Sequence, residues 1–175
     1  MFDELLARLG PRCTKQDTMY RKAMEPVLKI AITMRHLATG DKYASMKFDF
    51  RVPHNTMSVL VREVCQDIVD EYKEEVISCP ISPEEGRAVA KLFARRWNVP
   101  HACGALDGKH VACRKPANSG SLYQNYKGFF SIVLMGLVDA DYKFFWIDVG
   151  GHGHMLDAQI FNDSELNECL VDGTI

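Results

Sequence analysis

Two aspartates carry the strongest chemical signal in this chain. Asp107 sits in the middle of Gly104-Ala-Leu-Asp-Gly-Lys-His-Val111, a strand-like run, and Asp157 opens a helical segment after a later apolar run. A carboxylate in an apolar strand is costly to bury unless it is paired or holds a metal. Two carboxylates brought together by a small sheet are what an enzyme handling phosphate through magnesium needs, because hard divalent cations take oxygen ligands. Each acid also has a plainer reading. Asp107 suits a turn in which its side chain bonds local backbone, and Asp157 suits the first turn of a helix, where the dipole favours an acid. Asp139, Asp141 and Asp148 read as turn or strand-end residues. His152 and His154 form a His-x-His pair that can ligate a metal. No third ligand stands at a matching spacing, so a role in the glycine loop fits them better. Lys127, Arg114 and Lys115 are either phosphate contacts near the sheet edge or ordinary solvated cations.

The elements that must position these acids follow from pattern. Cys103–Cys113, Phe129–Val138 and Lys143–Val149 read as three strands bounded by turn signals, with Asp139-Ala-Asp141 short enough to join the second and third as a hairpin. Gly150-Gly-His-Gly153 breaks the chain before a helix near Leu156–Phe161, and Ser164 caps a last helix through Glu168. The hundred residues before this are helical. Val27–Thr39 carries a helical apolar stripe and stops at Gly40, a C-terminal signal. A short segment over 41–50 follows, then a turn at Arg51-Val-Pro53. Met57, Leu60, Val61, Val64, Ile68, Val69 and Tyr72 mark the clearest helix. Ser82-Pro-Glu-Glu85 is a capping box opening another. The reading is therefore an α+β chain with a helical region over 1–100 and a sheet region over 101–175.

Composition narrows the class. The chain has 175 residues, 47% hydrophobic and 25% charged, as in globular proteins. Six cysteines are scattered without a Cys-x-x-Cys pair, which argues against a zinc cluster or thiol catalysis. The N-terminus is amphipathic and acidic near its start, unlike a secretory signal, so the expected setting is intracellular with reduced thiols. The net charge of −2 hides an asymmetry: residues 12–62 hold ten Lys or Arg against four acids, and residues 101–175 hold five against nine. The first segment suits a polyanion and the second suits cations. Segments 28–39, 42–49 and 55–72 have the lengths and tight turn of a helix-turn-helix, with His54, Asn55, Thr56, Ser58 and Arg62 presented to base edges. Lys42, Lys47 and Arg51 would hold phosphates. A plain three-helix packing unit has the same pattern.

Taken together, several ordered motifs resemble the PIF/Harbinger-type transposases and the host nucleases derived from them. They are Gly104–Val111, Asn125-Tyr-Lys-Gly128, Phe130-Ser-Ile-Val-Leu-Met135 and Leu156-Asp-Ala-Gln-Ile-Phe-Asn-Asp-Ser164. In the helical half, Leu37-Ala-Thr-Gly-Asp41 and Phe50-Arg-Val-Pro-His-Asn-Thr-Met57 are similar to the region preceding the nuclease core. The resemblance implies a ribonuclease-H-like nuclease of the DDE superfamily, of which this chain holds the first half of the core with three antiparallel strands. It implies Asp107 and Asp157 as catalytic metal ligands for magnesium or manganese, in phosphodiester hydrolysis of DNA. Further acids, on a fourth strand beside the first and on a later helix, would lie beyond Ile175. A nuclear location and a separate DNA-binding partner protein also follow. The alternative is a non-catalytic DNA-binding or protein-interaction module derived from a transposase.

Overall fold

A computed structural model describes residues 1–80 and 82–173. The chain forms two compact units, Met1–Glu74 and Glu75–Ile175. In the first, α1 (Phe2–Cys13), α2 (Pro26–Thr39), α3 (Tyr43–Phe50) and α4 (His54–Val76) surround one core. Met57, Leu60, Val61 and Val64 are the buried residues of α4. Their spacing of three and four is the first part of the stripe the sequence predicts; of the rest, Ile68 and Tyr72 are half-buried against the core and Val69 is exposed. The four buried residues close over Leu9 of α1, Ile30 and Ile32 of α2 and Met46 of α3, all fully buried. Each such side chain contributes about 1.5–3 kcal/mol by leaving water. Gly40 ends α2 in the left-handed region (φ 68°), its N–H bonding the His36 carbonyl at 2.9 Å. Glu71 of α4 accepts from Arg8 Nε at 3.1 Å and Arg12 Nε at 3.2 Å, which ties α1 to α4.

The second unit holds α5 (Pro83–Trp97), strands β1 (Ala105–Ala112), β2 (Ser131–Val138) and β3 (Phe144–His152), then α6 (Asp157–Asn162) and α7 (Glu165–Asp172). The capping box at Ser82 and Glu85 forms as predicted. The expected division near residue 100 moves to Glu74/Glu75. The cause is packing: Val89 and Phe93 of α5 bury with Ala140, Trp97 Nε1 donates to the Ala140 carbonyl at 2.9 Å, and Arg96 pairs with Asp141. Thus α5 belongs with the sheet.

The sheet is antiparallel, in the order β1-β2-β3. Asp139 closes the β2–β3 turn as a turn residue, its Oδ1 accepting from the N–H groups of Asp141 (2.7 Å) and Lys143 (2.8 Å). β3 runs to His152 rather than ending at Val149, because Gly150 (φ 137°) is absorbed as the extra residue between the Leu134–Val149 and Val133–Gly151 pairs. One face of the sheet is covered by α6, with Val133, Met135 and Ile160 buried together. On its outer side β1 pairs with no strand among the described residues.

Candidate functional site

Asp107 pairs with Gly136 of β2 and Gly108 with Met135, in unbroken register. Met135 lies under α6, so Gly108 shares that covered face. The carboxylate of Asp157 occupies the space a Cβ on Gly108 would need: its Oδ2 would be 2.8 Å away and Oδ1 closer still. A side chain at 108 is therefore excluded, and the start of α6 seats directly against β1. The two acids flagged by sequence do meet the same stretch of strand.

They do not meet on the same side of it. Successive residues of a strand point to opposite faces. Asp157 covers Gly108, so Asp107 projects from the other face, where it is exposed. The burial cost inferred from its apolar surroundings is not incurred: those neighbours in β1 are themselves largely exposed. A two-metal site requires carboxylate oxygens converging on ions about 3.5–4 Å apart. Among the described residues no group of three or more His, Cys, Asp or Glu could hold a metal ion. Oxygen donors suit magnesium or manganese, and the two carboxylates that could supply them approach β1 from different faces.

The covered face holds a polar network that sequence reading passed over. Ser131, fully buried, accepts from Asn125 Nδ2 at 3.0 Å and lies 3.0 Å from His110 Nδ1. Asn125 Oδ1 accepts from Lys127 N–H (3.0 Å) and Phe129 N–H (3.2 Å). The Asn125-Tyr-Lys-Gly128 motif is thus a turn whose side chain reaches down to the strand pair. His154 Nδ1 is 2.7 Å from the Leu122 carbonyl, and His152 packs edge-on against Tyr123, consistent with glycine-loop roles. A polar Asn three residues before a glycine, Asn125 before Gly128, was the available signal. Thiol chemistry gains no support from Cys13: burial and its bond to Asp67 (3.3 Å) push its pKa up to about 11.

In the first unit, α2, the three-residue connection Gly40–Lys42, α3 and the Arg51–Pro53 turn fall close to the predicted bounds, while α4 runs four residues past the predicted end at Tyr72, to Val76. His54, Asn55 and Arg62 are exposed and Thr56 and Ser58 half-buried. Ser58 Oγ donates to the Asn55 carbonyl at 2.9 Å. Lys47 and Arg51 are exposed, Lys47 lying over the Phe48 ring and Arg51 ending α3 in the left-handed region (φ 54°). Sequence reading missed a cleft of about 550 Å³ that puts Asn55 and Thr56 opposite the loop between α1 and α2. The basic excess over 12–62 was its trace.

Residues 106–173 match the family model of a DDE superfamily endonuclease. Two curated Arabidopsis thaliana proteins are similar. Protein ALP1-like is 23% identical over 147 residues, which cover 83% of this chain and 35% of that protein. Protein Antagonist of Like Heterochromatin Protein 1 is 26% identical over 137 residues, 78% of this chain and 34% of that protein. The chain spans about a third of the length of the curated relatives it matches. Both matches necessarily reach into the first unit. No solved structure matches. The resemblance read from Gly104–Val111 and the later motifs is borne out.

Proposed function

We propose that this chain, with its DDE superfamily endonuclease segment, is a DNA-binding protein of transposase descent in which binding, not cleavage, is what these residues support. One observation carries the reading. Asp157 lies against Gly108 while Asp107 faces away, so the two carboxylates stand on opposite faces of one strand. DNA is the ligand implied by the family segment and by the cations of the first unit. The helix-turn-helix residues of α4 supply base contacts, and Lys47 and Arg51 supply phosphate contacts. One relative is named for antagonising a heterochromatin protein, which supports a nuclear location here; exclusion of a fluorescent fusion from nuclei would count against it.

The second reading is a Harbinger-type endonuclease using magnesium or manganese, with Asp107 and Asp157 as catalytic ligands and a separate DNA-binding protein as partner. It draws on the closeness of Asp157 to the residue beside Asp107. It requires both carboxylates on one face.

Incubating the chain with supercoiled plasmid and either metal separates the two. The expected result is salt-dependent binding without nicking, weakened in Arg62→Ala through a lost base contact and in Lys47→Ala with a loss of about one in salt slope for the phosphate contact removed. Metal-dependent nicking that vanishes in Asp107→Ala would establish the second reading. A chain that neither binds nor nicks DNA would end the first reading.

A further inference from the structure

We propose that the cleft between the α1–α2 loop and the first turns of α4 grips the phosphodiester backbone of DNA. This rests on the DNA-binding reading above and goes beyond it by naming the surface. The cleft is lined by four cations, Lys15, Arg21, Lys22 and Lys29, and among the described lining residues Glu63 is the one acid. Its volume of about 550 Å³ falls in the range of ligand sites. Such an excess repels metal cations and attracts a polyanion.

The cations stand on a built framework. Asp17 Oδ1 accepts from the Ala23 N–H at 2.7 Å. Thr18 and Arg21 exchange two backbone hydrogen bonds, of 3.0 and 3.2 Å, closing a tight turn. Those bonds run through the backbone of Arg21, so its exposed side chain does not hold the loop. On the floor, Lys29 is 6% exposed and its Nζ donates to the Cys13 carbonyl at 2.7 Å. That single bond leaves ammonium donors and a charge fixed in place. Across the mouth, Lys15 Nζ holds both Glu63 oxygens, at 2.8 and 2.7 Å. A phosphate entering the cleft competes with Glu63 for that lysine. At the tip of the loop, Met19 and Tyr20 are 93% and 94% exposed, leaving an aromatic face beside the cations on which a base can stack.

This assigns Asn55 and Thr56 a different task from the one helix-turn-helix geometry gives them. The loop forms the wall opposite the first turn of α4, so these side chains donate to phosphate rather than read base edges. Losses in the cleft should accordingly be the same for every DNA sequence.

The test uses the full chain and two labelled 30-base-pair duplexes of unrelated sequence, with anisotropy measured across a salt series. Arg21→Ala/Lys22→Ala should lower the slope of log K against log salt by about two and weaken both duplexes about tenfold or more. Glu63→Gln should act oppositely, tightening both about threefold by freeing Lys15; a merely structural cleft has no reason to bind better when damaged. Circular dichroism of each variant checks the fold, and Arg21→Lys/Lys22→Arg should bind as the parent does. If the double alanine variant keeps the parental affinity and slope while Lys47→Ala and Arg62→Ala bind more weakly, the cleft assignment falls and the DNA reading stands. A Glu63→Gln variant that binds more weakly also overturns it. If the parent binds neither duplex, both readings fall.

Discussion

Gly108→Ala puts the seating of α6 on β1 to a quantitative test. A methyl group there would meet the Asp157 carboxylate, with Oδ2 at 2.8 Å, well inside van der Waals contact. Asp157 cannot simply withdraw its backbone, because three residues on Ile160 is buried against Val133 and Met135. The side chain must leave its rotamer or α6 must shift, which costs about 1–3 kcal/mol. Alanine recovers about 0.5–1 kcal/mol over glycine in a strand, leaving a net loss of about 0–2.5 kcal/mol. Asp157→Ala removes the obstacle, so in that background Gly108→Ala should be neutral or slightly stabilising. The coupling in the double-mutant cycle is then about 1–3 kcal/mol. Asp157→Asn keeps the shape without the charge and should retain most of it, which separates sterics from electrostatics. The assay is urea unfolding followed by tryptophan fluorescence. The chain has two tryptophans, Trp97 and Trp146, both in the second unit, so the signal reports on that unit alone. Additivity of the two single changes within about 0.5 kcal/mol would refute the contact.

Other outcomes follow from neighbouring observations. Asp107→Ala, at an exposed position of β1, should leave the same unfolding curve within about 0.5 kcal/mol; a larger loss would mean the acid is structural. Asp139→Ala strips the acceptor from the Asp141 and Lys143 N–H groups and should cost about 1–3 kcal/mol, read by the same fluorescence. Cys13 is raised from 9.0 to about 11 in the folded chain, so the thiol form is favoured by folding. That contribution is fully present below pH 9 and is lost as pH rises towards 11. The urea midpoint from helical circular dichroism should therefore fall more between pH 8 and pH 10.5 in the parent than in Cys13→Ala. Equal falls would remove the assignment.

The legible parts of the sequence were those set by local rules. The stripe Met57, Leu60, Val61, Val64, the Gly40 stop and the Ser82–Glu85 box each became what their pattern demands. The strands were visible because turn residues bound them; only β3 overran, since a glycine pair reads as a break whether it ends a strand or bulges it. The home of α5 was not legible, because an amphipathic helix declares that it has a partner but not which one. The site was half legible. Motif order found Asp107 and Asp157 and the strand where they meet, but the face each takes depends on the register of β1 and on which side α6 packs. The basic cleft was hidden for a similar reason: its walls come from the α1–α2 loop and α4, over thirty residues apart in the chain.

The outer position of β1 should leave a mark in solvent deuterium. All eight of its residues pair with β2, yet in an antiparallel ladder only alternate residues direct their N–H toward the partner. The remaining amides point away from the sheet, where no described strand receives them. In a hydrogen-exchange experiment β2, flanked on both sides, should be uniformly slow, while β1 should show slow and fast amides in turn. Any extended peptide that docked along that rim would turn the fast set slow, reporting on its own arrival without a label.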